Sequence, residues 1–436
     1  MASRVNPNEE GYQRRLDVVH EILQNHGLSP ASVETLAYDI RCPFHFNNFI
    51  YKATLNSPAT QESFKPSAKL PGTLPIPEDG VSVVVVRLSN PRAEGLNNAN
   101  RVENEVASQY LARQSLQKDK RALVVPAVYA WGPSRFETQP DESGFGWSIL
   151  EFKQGVDLDS VFPTLSADDK SSVIQQIADS FCSIQNSQLP ESVTQFGALT
   201  FDESGRIVVG EMPLLSGGPW DTYSSLWAAK LKVQLNDSDK SSLLQGWKDG
   251  GIRDRLESFL NNGGVGRVLG GDGPDDKVLT HGDLTMNNML YDTEQKKLTA
   301  ILDFDWAAVT NPCDEFLTGF WDLGGGISEE NASFQTCIMT GDFSSSASLG
   351  EMPDEDVEKW QVGKLLNAAF AERGIIRPCT MKWAEEIRKL KELESMLCPF
   401  ALSNEHMLKR VPEEAKLKSK VEKGQEILKW LESAGF

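Results

Sequence analysis

The chain has 436 residues, 40% of them hydrophobic and 24% charged, and carries a formal charge of -19. That length buries a sizeable core and favours two or three domains, or two lobes sharing one cleft, while the composition excludes a disordered or fibrous chain. The acidic excess excludes nucleic acid and anionic membranes as general partners, because neutralising phosphates needs a basic face.

The N-terminus MASRVNPNEEGYQRR holds Glu9, Glu10, Arg14 and Arg15 and no apolar core of a secretory signal, so a cytoplasmic location is expected. Residues 11–26 then place Leu16, Val19, Ile22 and Leu23 on one helical face, with Gly27 as the stop. FNNFIYKATL (46–55) reads as a strand. Residues 56–80 hold five prolines and predict an exposed, irregular insertion. VSVVVVRLS (81–89) is a buried strand, and 98–114 a helix with Val102, Val106, Tyr110 and Leu111 at helical spacing beside Glu103 and Glu105.

Two more strand-like runs follow at 122–131 and 145–152, the first too short to span a membrane and interrupted by Pro126. Ser166 opens a core helix through an S-x-x-D capping pattern, and 200–211 predicts a hairpin turning at Ser204-Gly205. Beyond it the pattern is mainly helical, with residues 263–273 read as a flexible glycine-rich loop rather than a dinucleotide motif, since no strand precedes them. Cys42, Cys182, Cys313, Cys337, Cys379 and Cys398 include no C-x-x-C pair, which predicts reduced, structural thiols.

The chemistry is concentrated in residues 277–309. Short apolar runs there lead into His281-Gly282-Asp283, into Asn287-Asn288, and into Asp303-Phe304-Asp305. The reading is two short strands whose ends and loops face one cleft, with one carboxylate from the first loop, an amide from its end and a second carboxylate from the second strand. Such a set suits phosphoryl transfer, where one carboxylate orients the attacking hydroxyl while a second carboxylate and an amide oxygen hold magnesium.

HGDLTMNN followed by ILDFDW resembles the aminoglycoside phosphotransferase family, relatives of the protein kinases, in its eukaryotic and especially fungal form. The H-G-D-x-x-x-x-N pattern has the spacing of the kinase H-R-D-x-x-x-x-N, and Asp303 corresponds to the aspartate of D-F-G. The resemblance implies an α+β, protein-kinase-like two-lobe fold: a small antiparallel β lobe plus one helix over 1–150, including the insertion at 56–80, and a larger, mainly helical lobe over 151–436. The catalytic loop would be 281–288 and the metal-binding segment 303–306. Asp283 would be the catalytic base, Asn288 and Asp303 the magnesium ligands, and His281 a structural support of the loop. Asp305 and Trp306 fit the family pattern, and Asp314 would brace the catalytic loop.

Upstream, the resemblance places Asn47 and Asn48 in the nucleotide-covering turn, in place of glycines. It puts Arg87 where kinases have the phosphate-binding lysine, Glu105 as its ion-pair partner, and Glu151 and Phe152 at the hinge beside the adenine. The implied activity moves the γ-phosphate of ATP or GTP, with Mg2+, to a hydroxyl of a small molecule. Acidic residues Glu351, Asp354, Glu355, Asp356 and Glu358 favour an amine-bearing acceptor. Three alternatives stand beside this: a non-catalytic, kinase-like nucleotide-binding regulator, a protein kinase, which would need the D-F-G and A-P-E segments missing here, and an unrelated metal-dependent hydrolase.

Overall fold

Once buried, the apolar run 81–89 must pair its backbone, and in the computed structural model of the chain it becomes the middle strand of an antiparallel sheet. The structure describes residues 6–65, 70–134, 144–215, 217–328, 331–344 and 354–436. Its contacts divide the chain into two units, the first comprising residues 1–219, 278–309 and 368–375 and the second the remainder.

The first unit opens with helix α1 (Tyr12–Asn25) and strands β1 (Pro30–Leu36), β2 (Asn48–Ala59) and β3 (Val81–Ser89). Helix α2 (Arg101–Lys118) and strands β4 (Val128–Gly132) and β5 (Trp147–Glu151) complete a sheet of order β1-β2-β3-β5-β4 with every pairing antiparallel. Successive side chains of a strand face opposite sides. Val84, Val86 and Leu88 of β3 therefore share one core with Val19, Ile22 and Leu23 of α1, while Val85 joins Val102 and Val106 of α2 on the other. Arg87 has the parity of Val85, so it emerges on the α2 side.

Three local expectations are refined here. The strand at 46–55 starts two residues later and continues to Ala59. The proline-rich segment after it is irregular and largely exposed, as expected, but it is anchored: Phe64, Leu74 and Ile76 pack into the α1 core, and the Leu74 amide donates to the Val128 carbonyl at 2.8 Å. Its residues 66–69 lie outside the described residues. Strand β4 begins only at Val128, because Pro126 has no amide to donate to a ladder. Strand β1 was not legible in the sequence, since Pro30 and a mixed exposure pattern give it no clean alternation.

The unit continues through β6 (Val156–Asp157), α3 (Leu158–Val161) and α4 (Ala167–Gln185). Ser166 caps α4, accepting from the Asp169 amide at 3.2 Å, and Val173, Ile174, Ile177, Ala178 and Phe181 form its buried stripe. Strands β7 (Ala198–Phe201) and β8 (Ile207–Gly210) form the hairpin, its turn made possible by Gly205 at φ +80°. Then come β9 (Val278–Thr280), β10 (Met289–Asp292), β11 (Lys297–Ile301) and β12 (Ala308–Thr310). β10 lies between β11 and β6, and β9 pairs with β12. The division of contacts does not fall near residue 150, because α4 packs on α2, β9 and β11 and so carries residues beyond 150 into the same unit.

The second unit holds α5 (Tyr223–Lys240), α6 (Ile252–Asn261), α7 (Gly264–Leu269), α8 (Glu315–Thr318), α9 (Ala332–Thr340), most of α10 (Asp354–Glu372), α11 (Ala384–Leu397), α12 (Phe400–Ser403), α13 (Glu405–Leu408) and α14 (Glu413–Ser433). Leu226, Trp227, Leu231, Ile387, Leu390, Ile427 and Leu431 are fully buried in it. The segment 263–273 is not a loop throughout: α7 occupies most of it, bounded by left-handed Gly263 and Gly270. Asp314 is engaged within this unit by the Thr310 and Tyr223 hydroxyls and the Lys230 ammonium. Among the described residues no helix is long and apolar enough to cross a membrane.

Since Ile76 is 1% exposed, Ile76→Ala should lower folding stability by about 2–5 kcal/mol, measured by denaturant titration. An unchanged midpoint would mean that the proline-rich segment contributes nothing to the core.

Candidate active site

The segment that carries His281, Asp283 and Asn288 is held to its own backbone. His281 follows β9 and is fully buried, its Nε2 2.8 Å from the Leu302 carbonyl and its Nδ1 3.3 Å from the Asp283 amide. Burial pushes the imidazole pKa down to about 4 against the opposing pull of the Leu302 carbonyl. The ring is thus neutral, with Nε2 donating to Leu302 and Nδ1 accepting from Asp283. A neutral, enclosed ring packed 4.5 Å from that of Phe304 supports the loop and does not reach a substrate. Gly282 sits at φ +83°, and a Cβ there would come within 2.4 Å of the Trp306 carbonyl oxygen, so the two halves of the motif touch where only glycine fits.

Asp283 and Asn288 are joined twice: the Asn288 amide nitrogen donates to both the carbonyl and the carboxylate of Asp283, each at 2.9 Å. The Leu302 amide donates to the Asn288 carbonyl at 2.8 Å, which ties the end of the loop to the residue preceding Asp303. Burial raises the Asp283 pKa; the Asn288 hydrogen bond opposes this and the Asp303 charge adds to it. A carboxylate with raised affinity for protons is suited to accepting one from a hydroxyl near neutral pH.

Asp303 adopts a left-handed backbone, φ 64° and ψ 70°, sparsely populated for any residue but glycine and most often found at functional sites. One of its oxygens accepts from Arg87 Nη2 at 2.8 Å. Its side chain remains 38% exposed, while those of Arg87, Asp305 and Glu105 are only 6%, 3% and 3% exposed. The accessible carboxylate of Asp303 and the amide oxygen of Asn288 are the hard donors magnesium prefers. Among the described residues no group of three His, Cys, Asp or Glu side chains could hold a metal ion.

Arg87 pairs with Glu105, not with Glu103, and its second terminal nitrogen reaches both Asp303 and Asp305, the latter at 2.9 Å. Burial works against the guanidinium charge, but Asp305, Glu105 and Asp303 outweigh it and hold the group protonated above its ordinary range. Burial pushes the Glu105 carboxyl up, and Arg87 draws it back. The expected phosphate contact of Arg87 is not prepared in this state, because both terminal nitrogens face carboxylates.

Asn48 joins the same network: its amide nitrogen donates to Asp305 at 2.7 Å and its amide oxygen accepts from Arg101 at 3.1 Å, so the side chain ties the turn down. Asn47 contributes its carbonyl to Arg101 at 2.6 Å. Glu151 is paired with Arg113 and Lys153, and Phe152 lies 5.2 Å under the Lys52 ammonium. Glu151 pairs with Val84 and Ser148 with Arg87, so Glu151 lies three residues, roughly 10 Å, along the sheet from the carboxylate cluster.

Sequence reasoning missed Arg101. It lies one helical turn before Glu105, an i, i+4 spacing that puts both on one face, and that spacing was the available signal. It donates to Asp305 through Nε at 3.2 Å and Nη2 at 2.8 Å. Burial opposes ionisation of Asp305, but Arg101 and Arg87 outweigh it and hold the carboxyl far below its ordinary range.

An antiparallel sheet backed by a glutamate-bearing helix, a loop carrying Asp283 and Asn288, and a following Asp303 define an α+β fold of the protein-kinase-like class. Residues 78–332 match the phosphotransferase enzyme (APH) family, more than half of the chain, and the protein belongs to that family, whose members transfer phosphoryl groups to hydroxyls. Among solved structures, the chain is similar to a candidate aminoglycoside phosphotransferase from Ralstonia eutropha JMP134, at 14% identity, 96% of this chain, 98% of that one and a TM-score of 0.46. It is also similar to APH(2″)-IIa in complex with gentamicin, at 12% identity, 94% of this chain, 95% of that one and a TM-score of 0.45. No curated protein matches it in sequence.

Two predictions follow from the geometry. Asp283→Asn should leave affinity for magnesium nucleotide nearly intact and lower turnover at least about 100-fold, whereas Asp303→Asn should weaken metal-dependent nucleotide binding itself. Calorimetric titration of both variants checks this, and equal losses of nucleotide affinity would sink the assignment. His281 supplies the second. Below its ordinary value of 6.5 the unfolded imidazole takes a proton that the folded one, near 4, refuses, so stability falls as pH drops through that window. The loss is on the order of 3 kcal/mol and should be missing from the pH dependence of urea unfolding in His281→Asn.

Proposed function

We propose that this protein transfers the γ-phosphate of ATP or GTP to a hydroxyl of a small molecule, using Asp283 as the base. The observation that carries this reading is the double hydrogen bond from Asn288 to Asp283, together with the bond from the Leu302 amide to the Asn288 carbonyl. These bonds fix base, amide and the approach to Asp303 in one backbone frame, and positioning supplies much of the catalysis of phosphoryl transfer. Asp283 would orient the acceptor hydroxyl and take its proton as the phosphoryl group leaves the nucleotide. Asn288 holds the Asp283 carboxylate in place, and His281 holds the loop. Asp303 and Asn288 would hold magnesium, which when bound neutralises charge on the triphosphate. Glu105 and Arg87 fix the position of Asp303.

An amine-bearing acceptor is favoured by the net charge of -19 and by two carboxylates, Asp283 and Asp303, within one site. Within the acidic cluster at 351–358, Glu351 lies outside the described residues, as do the side chains of Asp354 and Glu355. A non-catalytic regulatory role is the second reading, and the saturation of Arg87 by carboxylates is what favours it.

Incubation with magnesium ATP or GTP and a panel of alcohol-bearing metabolites should give an acceptor that gains one phosphoryl group by mass spectrometry. For that acceptor, raising salt from about 0.05 to about 0.5 M should raise KM, as the Debye length shrinks several-fold. Nucleotide binding with no phosphorylated product across the panel would support the regulatory reading, and an indifferent KM would remove charge from acceptor choice.

A further inference from the structure

The turn that precedes β2 has no glycine-rich sequence to wrap a triphosphate, yet it is not loosely held. Arg101, the first residue of α2 and 1% exposed, reaches it with a single guanidinium. Nη2 donates to the Asn47 carbonyl at 2.6 Å, to the Asn48 amide oxygen at 3.1 Å and to Asp305 at 2.8 Å. Nε donates to the other Asp305 oxygen at 3.2 Å, and Nη1 to the Asn90 carbonyl at 3.2 Å. The Asn48 amide nitrogen closes a triangle on Asp305 at 2.7 Å. Arg87 lies 2.9 Å from the same carboxylate and joins the triangle to Glu105 and Asp303.

We propose that Arg101 is a positioning residue for nucleotide: it clamps the Asn47-Asn48 turn to Asp305, two residues from the metal-binding aspartate, and does here what backbone flexibility does in a glycine-rich loop. This rests on the nucleotide-dependent reading above. Two features of the geometry support it. A buried charge network held by several charge-assisted hydrogen bonds specifies geometry more than it adds stability, since apolar residues of the same volume would serve stability as well. The bidentate grip on Asp305 and the third bond to the turn also need the planar fork of arginine, which a lysine ammonium cannot reproduce. Nothing in the fold requires the turn and Asp305 to be bonded side chain to side chain: β2 and β3 already pair from Asn48 opposite Ser89 onward.

The test uses the full chain and two variants. Asn48→Ala removes the two side-chain bonds of the clamp to the turn, leaving the Asn47 carbonyl on Arg101 and the buried Arg101–Asp305 pair intact, and Arg101→Lys keeps the charge and loses the fork. Each is titrated by calorimetry with magnesium ATP, magnesium GTP, adenosine and guanosine, alongside thermal melting. The expected result is a loss of triphosphate affinity of about tenfold in each variant, the scale of one buried hydrogen bond, with affinity for the matching nucleoside unchanged and Asn48→Ala still melting cooperatively as a folded protein. The double variant should lose no more than the worse single one, because both act through one clamp.

If Asn48→Ala binds triphosphate as wild type does, or loses triphosphate and nucleoside affinity together, the proposal is overturned; this holds even if Arg101→Lys fails to fold. If wild type binds neither nucleotide, the functional reading itself fails and the clamp with it. Wild-type binding with an indifferent Asn48→Ala removes the clamp alone.

Discussion

The constraint on which the rest of this site depends is the sharing of two buried guanidinium groups among three carboxylates. Arg87 and Arg101 face Glu105, Asp303 and Asp305, and removing either guanidinium would leave buried carboxylate charge without its partner. The five residues come from β3, α2 and the segment after β11. Their mutual attraction therefore sets the distance of the helix from the sheet and of both from the segment that carries Asp303. Asp303 alone keeps an accessible carboxylate edge.

A second, uncharged frame works alongside the first. The neutral His281 ring, the Leu302 carbonyl and amide, and the close approach of Gly282 to Trp306 bind the first motif to the second through backbone groups. These bonds join neutral groups, so they hold the two segments together without relying on ion pairs. The left-handed conformation of Asp303 is the strained point at which this frame meets the ionic one. Strain of that kind persists only where surrounding contacts over-determine it, and here both frames do.

The proline-rich segment shows how far irregular chain can still be structural. With Phe64, Leu74 and Ile76 buried beside α1, it extends the core of the sheet without adding a strand. Its prolines forbid a ladder but not burial.

The sequence by itself determined which residues are candidates for the chemistry and much of the local structure. The spacing of Asp283, Asn288 and Asp303, the run at 81–89, the Ser166 cap and the stripe of α1 are all local patterns, written in neighbouring side chains. The tertiary structure alone decided what those side chains touch. That Arg87 would meet three carboxylates rather than stand open, that Asn48 would anchor a turn, and that Arg101 would join them depend on residues 48, 87, 101 and 305 being brought together. The assignment of α4 to the first unit, the burial of Ile76 and the helix within residues 263–273 are of the same kind. Periodicity reports which face of an element is apolar, and only folding reports what that face and its few charged neighbours find opposite them.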